Sequence, residues 1–109
     1  MFIILQKMDG HMNDMNKTEL HKKLCVLLHT TYVNKNADYG DSFAETYNKL
    51  GPISALTRIS DKYNRLVSLA TKNEQNVNYE AIDDTLLDMA NYCLLWLVER
   101  KQGSDTDET

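Results

Sequence analysis

Residues 79–101 read YEAIDDTLLDMANYCLLWLVERK. The stretch holds neither Gly nor Pro, and Ile82, Leu86, Met89, Ala90, Cys93 and Leu97 recur at i, i+4, i+7, i+8, i+11 and i+15. That period predicts one long α-helix whose apolar stripe faces a core. At about 100° per residue, Glu80, Asp84, Asp88 and Asn91 occupy the opposite side. Toward the C-terminus this second side turns apolar, with Leu94, Leu95 and Val98. A helix that is apolar all round is covered on both sides, so the acidic stripe is expected to end inside a covered groove. Three carboxylates and an amide in such a groove ask for cations.

Upstream, a polar loop over residues 71–78 ends on Asn78, a good N-cap for this helix. Before it, Ile53 to about Lys72 carries Leu56, Ile59, Tyr63, Leu66 and Ala70 as a predicted core stripe. The other side shows Arg58, Asp61, Lys62 and Arg65 at i, i+3, i+4 and i+7, a ridge of net positive charge. It reads in two ways. One is a solvated face with an Asp61–Arg65 pair, worth a few tenths of a kcal/mol. The other is a phosphate grip, with Arg offering planar paired donors and Lys a point charge. Gly51-Pro52 marks the break before this helix, with Pro52 suited to its first turn. Ser42-x-x-Glu45 forms a capping box for a short helix ending near Leu50. Residues 35–43 lack a helical period. Asn16 with Glu19 caps a third long helix to about Asn34, which buries Leu20, Leu24, Leu27, Leu28 and Thr31. His21 and His29 stand alone on it and read as surface residues rather than ligands.

The whole is an all-α domain, a compact bundle of three long helices and one short one, spanning residues 16–101. Residues 1–15 read as a ragged extension, with Met8, Met12 and Met15 as alternative starts, and 102–109 as a disordered acidic tail. At 109 residues there is room for one domain. Twelve Lys and Arg against sixteen Asp and Glu give a net charge of −4, which disfavours duplex nucleic acid as a partner. The apolar run at the N-terminus is too short for a membrane span or signal segment, so a cytoplasmic location is expected. Cys25 and Cys93 read as small core hydrophobes. Leu87, Leu94, Leu95, Trp96 and Val98 give the last helix surplus apolar surface, which predicts a homo-oligomer.

The stretches KNADYGDSF, GPISALTRISDKYNRLVSL and YEAIDDTLLDMANYCLLWL closely resemble the first family of nucleotide-modification-associated domains of phages and bacteria. The likeness spans roughly Leu24 to Val98. Its specificity lies in the combination of K-N-x-D-Y-G, R-x-x-D-K-x-x-R and E-x-x-x-D-x-x-x-D-x-x-N-Y. It implies a phage-type protein of the host cytoplasm associated with nucleotide alteration, but names no reaction. A more distant resemblance is to the all-α NTP pyrophosphohydrolases of the MazG and dimeric dUTPase type. There, one helix carries an E-E-x-x-D motif with an Asn two turns later and binds Mg²⁺ on the triphosphate. Glu80, Asp84 and Asn91 match that spacing. Ala81 stands in place of the second Glu, with Asp83 and Asp88 as substitutes. The partner helix's E-x-x-E is missing: Arg58-x-x-Asp61-Lys62 is the nearest segment, leaving Asp38, Asp41 and Glu45 as further carboxylates.

This likeness implies a Mg²⁺-dependent pyrophosphohydrolase. Glu80, Asp84 and Asp88 would be the metal ligands and catalytic carboxylates, one of them activating water. Lys35, Arg58, Lys62 and Arg65 would hold phosphates, with Asp38 and Asn91 also toward substrate. Tyr39 would stack on the base, with Tyr32 and Tyr92 as alternatives. Two other readings stand beside it: a non-catalytic binder that sequesters a nucleotide or nucleotide-derived signal, and a helical interaction module in which Asp84 and Asp88 merely pair with Arg58, Lys62 and Arg65 to set helix register.

Overall fold

A computed structural model describes residues 15–39 and 41–103, with the side chains of 37–39 and 74 outside that description. The expectations for the N-terminal extension and for 104–109 therefore fall outside the described residues. Four α-helices follow in order: α1 Lys17–Tyr39, α2 Ser42–Leu50, α3 Pro52–Ala70 and α4 Tyr79–Gly103, with a 3-10 turn at Glu74–Asn76. The expected all-α class is what the chain adopts, and no strand occurs among the described residues. No described helix is long and apolar enough to cross a membrane.

Local chemistry sets the helix ends. The Asn16 side-chain oxygen accepts from the Glu19 amide at 2.8 Å, and that of Asn78 from the Ala81 amide at 3.0 Å. α1 runs on to Tyr39, past the expected end near Asn34, because nothing before Gly40 breaks it. In that extension Asn36 donates to the Tyr32 hydroxyl one turn back at 3.2 Å. The cap of α2 is Asp41, not Ser42: its carboxylate accepts from the Ala44 amide at 3.3 Å. Gly51 joins α2 to α3 at φ 75° and ψ −161°, a conformation essentially reserved for glycine. Its amide donates to the Tyr47 carbonyl at 2.7 Å, and Pro52 opens α3.

α3 lies along α4, α2 packs against both, and α1 meets α4. Leu27 of α1 and Leu87 of α4 form a small core with Leu24 and Leu28, so the inner face of α1 is the expected one. The two other long helices are turned. On α3, Leu56 and Tyr63 are 50% and 57% exposed, while Ser54, Ala55 and Leu69 are buried and Arg58 and Lys62 half-buried. On α4, Leu86 and Leu97 are each 49% exposed and Cys93 is exposed, whereas Thr85 is 2% exposed. The stripes expected to form the core therefore face largely outward. The polar sides of α3 and α4 face each other because each supplies what the other lacks: cations and donors on α3, a carboxylate and a hydroxyl on α4. Cys25 and Cys93 are both exposed free thiols, which corrects their assignment to the core.

Gly51 has nothing within 4 Å of the position a Cβ would take, so Gly51→Ala isolates the backbone cost. It is expected to lower stability by about 1–3 kcal/mol, read as a melting temperature reduced by several degrees. An unchanged melting temperature would contradict the assigned backbone.

Candidate functional site

Where α3 meets α4, Lys62 Nζ donates to Asp88 Oδ2 at 3.2 Å, with both side chains about three-quarters buried. One turn toward the N-terminus of α4, Arg65 Nε donates to Thr85 Oγ1 at 3.3 Å, and that hydroxyl donates to the Ala81 carbonyl at 2.7 Å. Arg65 thus reaches across to α4 instead of pairing with Asp61 on its own helix.

At the other end of this seam lies a cavity of about 300 Å³ to which all four helices contribute. α1 supplies Tyr32, Lys35 and Asn36, and α2 supplies Ser42 and Phe43. Arg58 and Lys62 come from α3; Asp88, Asn91, Tyr92 and Leu95 come from α4. The helical continuation of α1 past Asn34 is what brings Lys35 and Asn36 onto the face that already carries Tyr32. The rings of Phe43 and Tyr92 stack at 6.2 Å with 27° between their planes. Arg58 lies over both, its Cζ 5.8 Å from the Phe43 centroid and 5.6 Å from that of Tyr92. Two aromatic faces hold the guanidinium by cation–π attraction while leaving its in-plane N–H donors unspent. No protein acceptor takes a hydrogen bond from Arg58 among the described residues. Asn91 donates weakly to the Leu28 carbonyl at 3.4 Å. Among the described residues that line it, Lys35, Arg58 and Lys62 stand against Asp88, a cationic balance in a chain of net charge −4.

Of the residues singled out from sequence, Lys35, Arg58, Lys62, Asp88 and Asn91 converge here, with Tyr32 and Tyr92 as the aromatic candidates. Arg65 belongs to the Thr85 contact. Glu80 is exposed and Asp84 half-buried, and neither lines the cavity. The side chains of Asp38 and Tyr39 lie outside the described residues. Among the described residues no three of His, Cys, Asp and Glu group so as to hold a metal ion, and the Asp88 carboxylate is already engaged by Lys62. A resident metal centre on Glu80, Asp84 and Asp88 does not fit this donor set. Phe43 and Asn36 were not singled out from sequence. Phe43 closes the KNADYGDSF motif, and Asn36 stands one turn from Tyr32; continuing the α1 period would have found the latter.

Residues 35–99 match the model of the family described as Nucleotide modification associated domain 1, and the chain belongs to that family. No curated protein and no solved structure matches it. The likeness to the pyrophosphohydrolases rests on the motif residues alone.

If Lys62 and Asp88 act as a pair, Lys62→Met or Asp88→Leu alone leaves a largely buried charge unpartnered and should cost on the order of 1–3 kcal/mol. The double variant should cost less than the two singles together, by about 1 kcal/mol. Strict additivity in urea unfolding would mean the contact couples nothing.

Proposed function

We propose that this protein binds a nucleotide, with its phosphates held by Lys35, Arg58 and Lys62 and its base toward Tyr32, a cavity-lining ring that Arg58 does not cover. The observation that carries this reading is the Arg58 guanidinium, held over two rings with no acceptor for its donors among the described residues, in a cavity whose described lining is cationic. A planar fork of that kind matches a phosphate edge, and a neighbouring lysine adds a point charge. Aromatic faces give a base a stacking surface worth about 1–3 kcal/mol. A cavity of about 300 Å³ falls at the lower end of small-ligand sites and suits a mononucleotide. The family's association with nucleotide modification supports the same ligand class and makes modified as well as ordinary nucleotides the panel to try.

In this reading the protein binds and does not turn over its ligand, since Asp88 neutralises Lys62 rather than joining other carboxylates round an ion. Titration calorimetry without divalent metal, over mono-, di- and triphosphates, is expected to find at least one nucleotide that binds. Arg58→Ala should weaken it roughly tenfold to a hundredfold, the range of a charge-assisted contact. Asp88→Asn should tighten it, because a negative charge leaves the cavity and Lys62 is released. Should Asp88→Asn instead abolish binding, and should wild-type protein release pyrophosphate with Mg²⁺ or Mn²⁺, the carboxylate acts through a metal and the pyrophosphohydrolase reading replaces this one.

A further inference from the structure

The outward side of α4 carries an uncovered apolar stripe. Leu86 and Leu97 are each 49% exposed, and Cys93 is exposed beside a half-buried Ala90. At about 100° per residue, Leu86, Ala90, Cys93 and Leu97 share an arc of roughly 60°. That arc points away from Thr85 and Asp88, which meet α3, and from Leu87 and Asn91, which meet α1. Isolated exposed leucines need no explanation, but a continuous stripe at helical period marks an interaction surface.

We propose that two copies of this chain pair through that stripe, with their α4 helices antiparallel about a two-fold axis passing between Ala90 and Cys93. The order of the stripe identifies the occupant. Read from either end it is large, small, small, large, and Leu86 precedes its midpoint by as much as Leu97 follows it. Antiparallel pairing sets Leu86 against the partner's Leu97 and Ala90 against the partner's Cys93, and the two-fold axis repeats both contacts. Self-complementarity of this kind is what a two-fold interface requires. The two small central residues let the helix backbones approach closely, and the leucines pack on either side.

Charge fixes the direction. The first half of α4 is acidic, with Glu80, Asp83, Asp84 and Asp88, and its last turns carry Arg100 and Lys101. Only the antiparallel arrangement brings the acidic half of one helix to the basic end of the other. Lys101 is exposed on one flank of the stripe, about 60° from Leu86 by the helical period. In an antiparallel pair like flanks meet, so Lys101 lies along the acidic half of the partner's helix at both ends of the interface. Such rim charges set orientation and partner choice more than they add affinity.

The test is the mass of the intact chain by size exclusion with light scattering. Wild type is expected at twice 12.6 kDa. Leu86→Glu with Leu97→Glu should run as a monomer with unchanged helical circular dichroism, since both side chains are already half-exposed in one chain. If that variant does not fold, the charge at the basic end still decides. Lys101→Asp should raise the dimer dissociation constant, about tenfold at most, and the difference from wild type should shrink as salt is raised. A short bis-maleimide should link two Cys25→Ser chains through Cys93. A wild type that stays monomeric overturns the proposal. So does a dimer that survives both glutamates, or one in which Cys93 cannot be bridged.

Discussion

The ion pair between Lys62 and Asp88 sets the rotation of the last helix, and most of the structure follows from that rotation. Its 3.2 Å contact and the Arg65–Thr85 hydrogen bond one turn away turn the polar side of α4 toward α3. A largely buried ion pair contributes little net stability when desolvation is counted, but either partner left alone is costly. The contact therefore acts mainly by discriminating between rotations of α4. Turning the helix to bury Leu86 and Leu97 would carry Asp88 away from α3 and leave Lys62 at the interface without its partner, and Arg65 without Thr85.

Once α4 is set this way, the two faces of the helix take separate tasks. Inward, the seam with α3 opens beyond Lys62 into the cavity where Arg58 lies over Phe43 and Tyr92. Outward, an apolar stripe stays exposed in one chain, and there we propose that a second copy packs. The small core around Leu27 and Leu87 fits this division, because much of the chain's apolar surface is not used within one chain. The proposed nucleotide site and the proposed self-association surface lie on opposite sides of one helix, so each can be altered without touching the other.

Much of the fold was legible in the sequence. Gly51-Pro52 and the Asn16 and Asn78 caps placed helix ends by local chemistry, and local chemistry is what a sequence states directly. The end of α1 was missed because polar residues such as Asn34 and Lys35 look like a loop when solvent covers them, although they continue a helix equally well. The facing of α3 and α4 was not legible for a different reason. Periodicity shows that Leu86, Cys93 and Leu97 share a side, but whether its own chain or another copy covers that side depends on what α3 presents. The site was half-legible. Lys35, Arg58, Lys62 and Asn91 were readable as charged or amide residues with no structural duty in their own helices. Arg65 and Thr85 took their places only through a contact between helices, and Phe43 was hidden among capping residues.

The central claim is the rotational setting of α4, and side-chain nuclear Overhauser effects in the full chain test it most directly. Cross-peaks from the Thr85 methyl group to the side-chain protons of Arg65 are predicted, with none from the methyl groups of Leu86 or Leu97 to α3. Leu86 and Leu97 in contact with α3, and Thr85 without contact to Arg65, would contradict it.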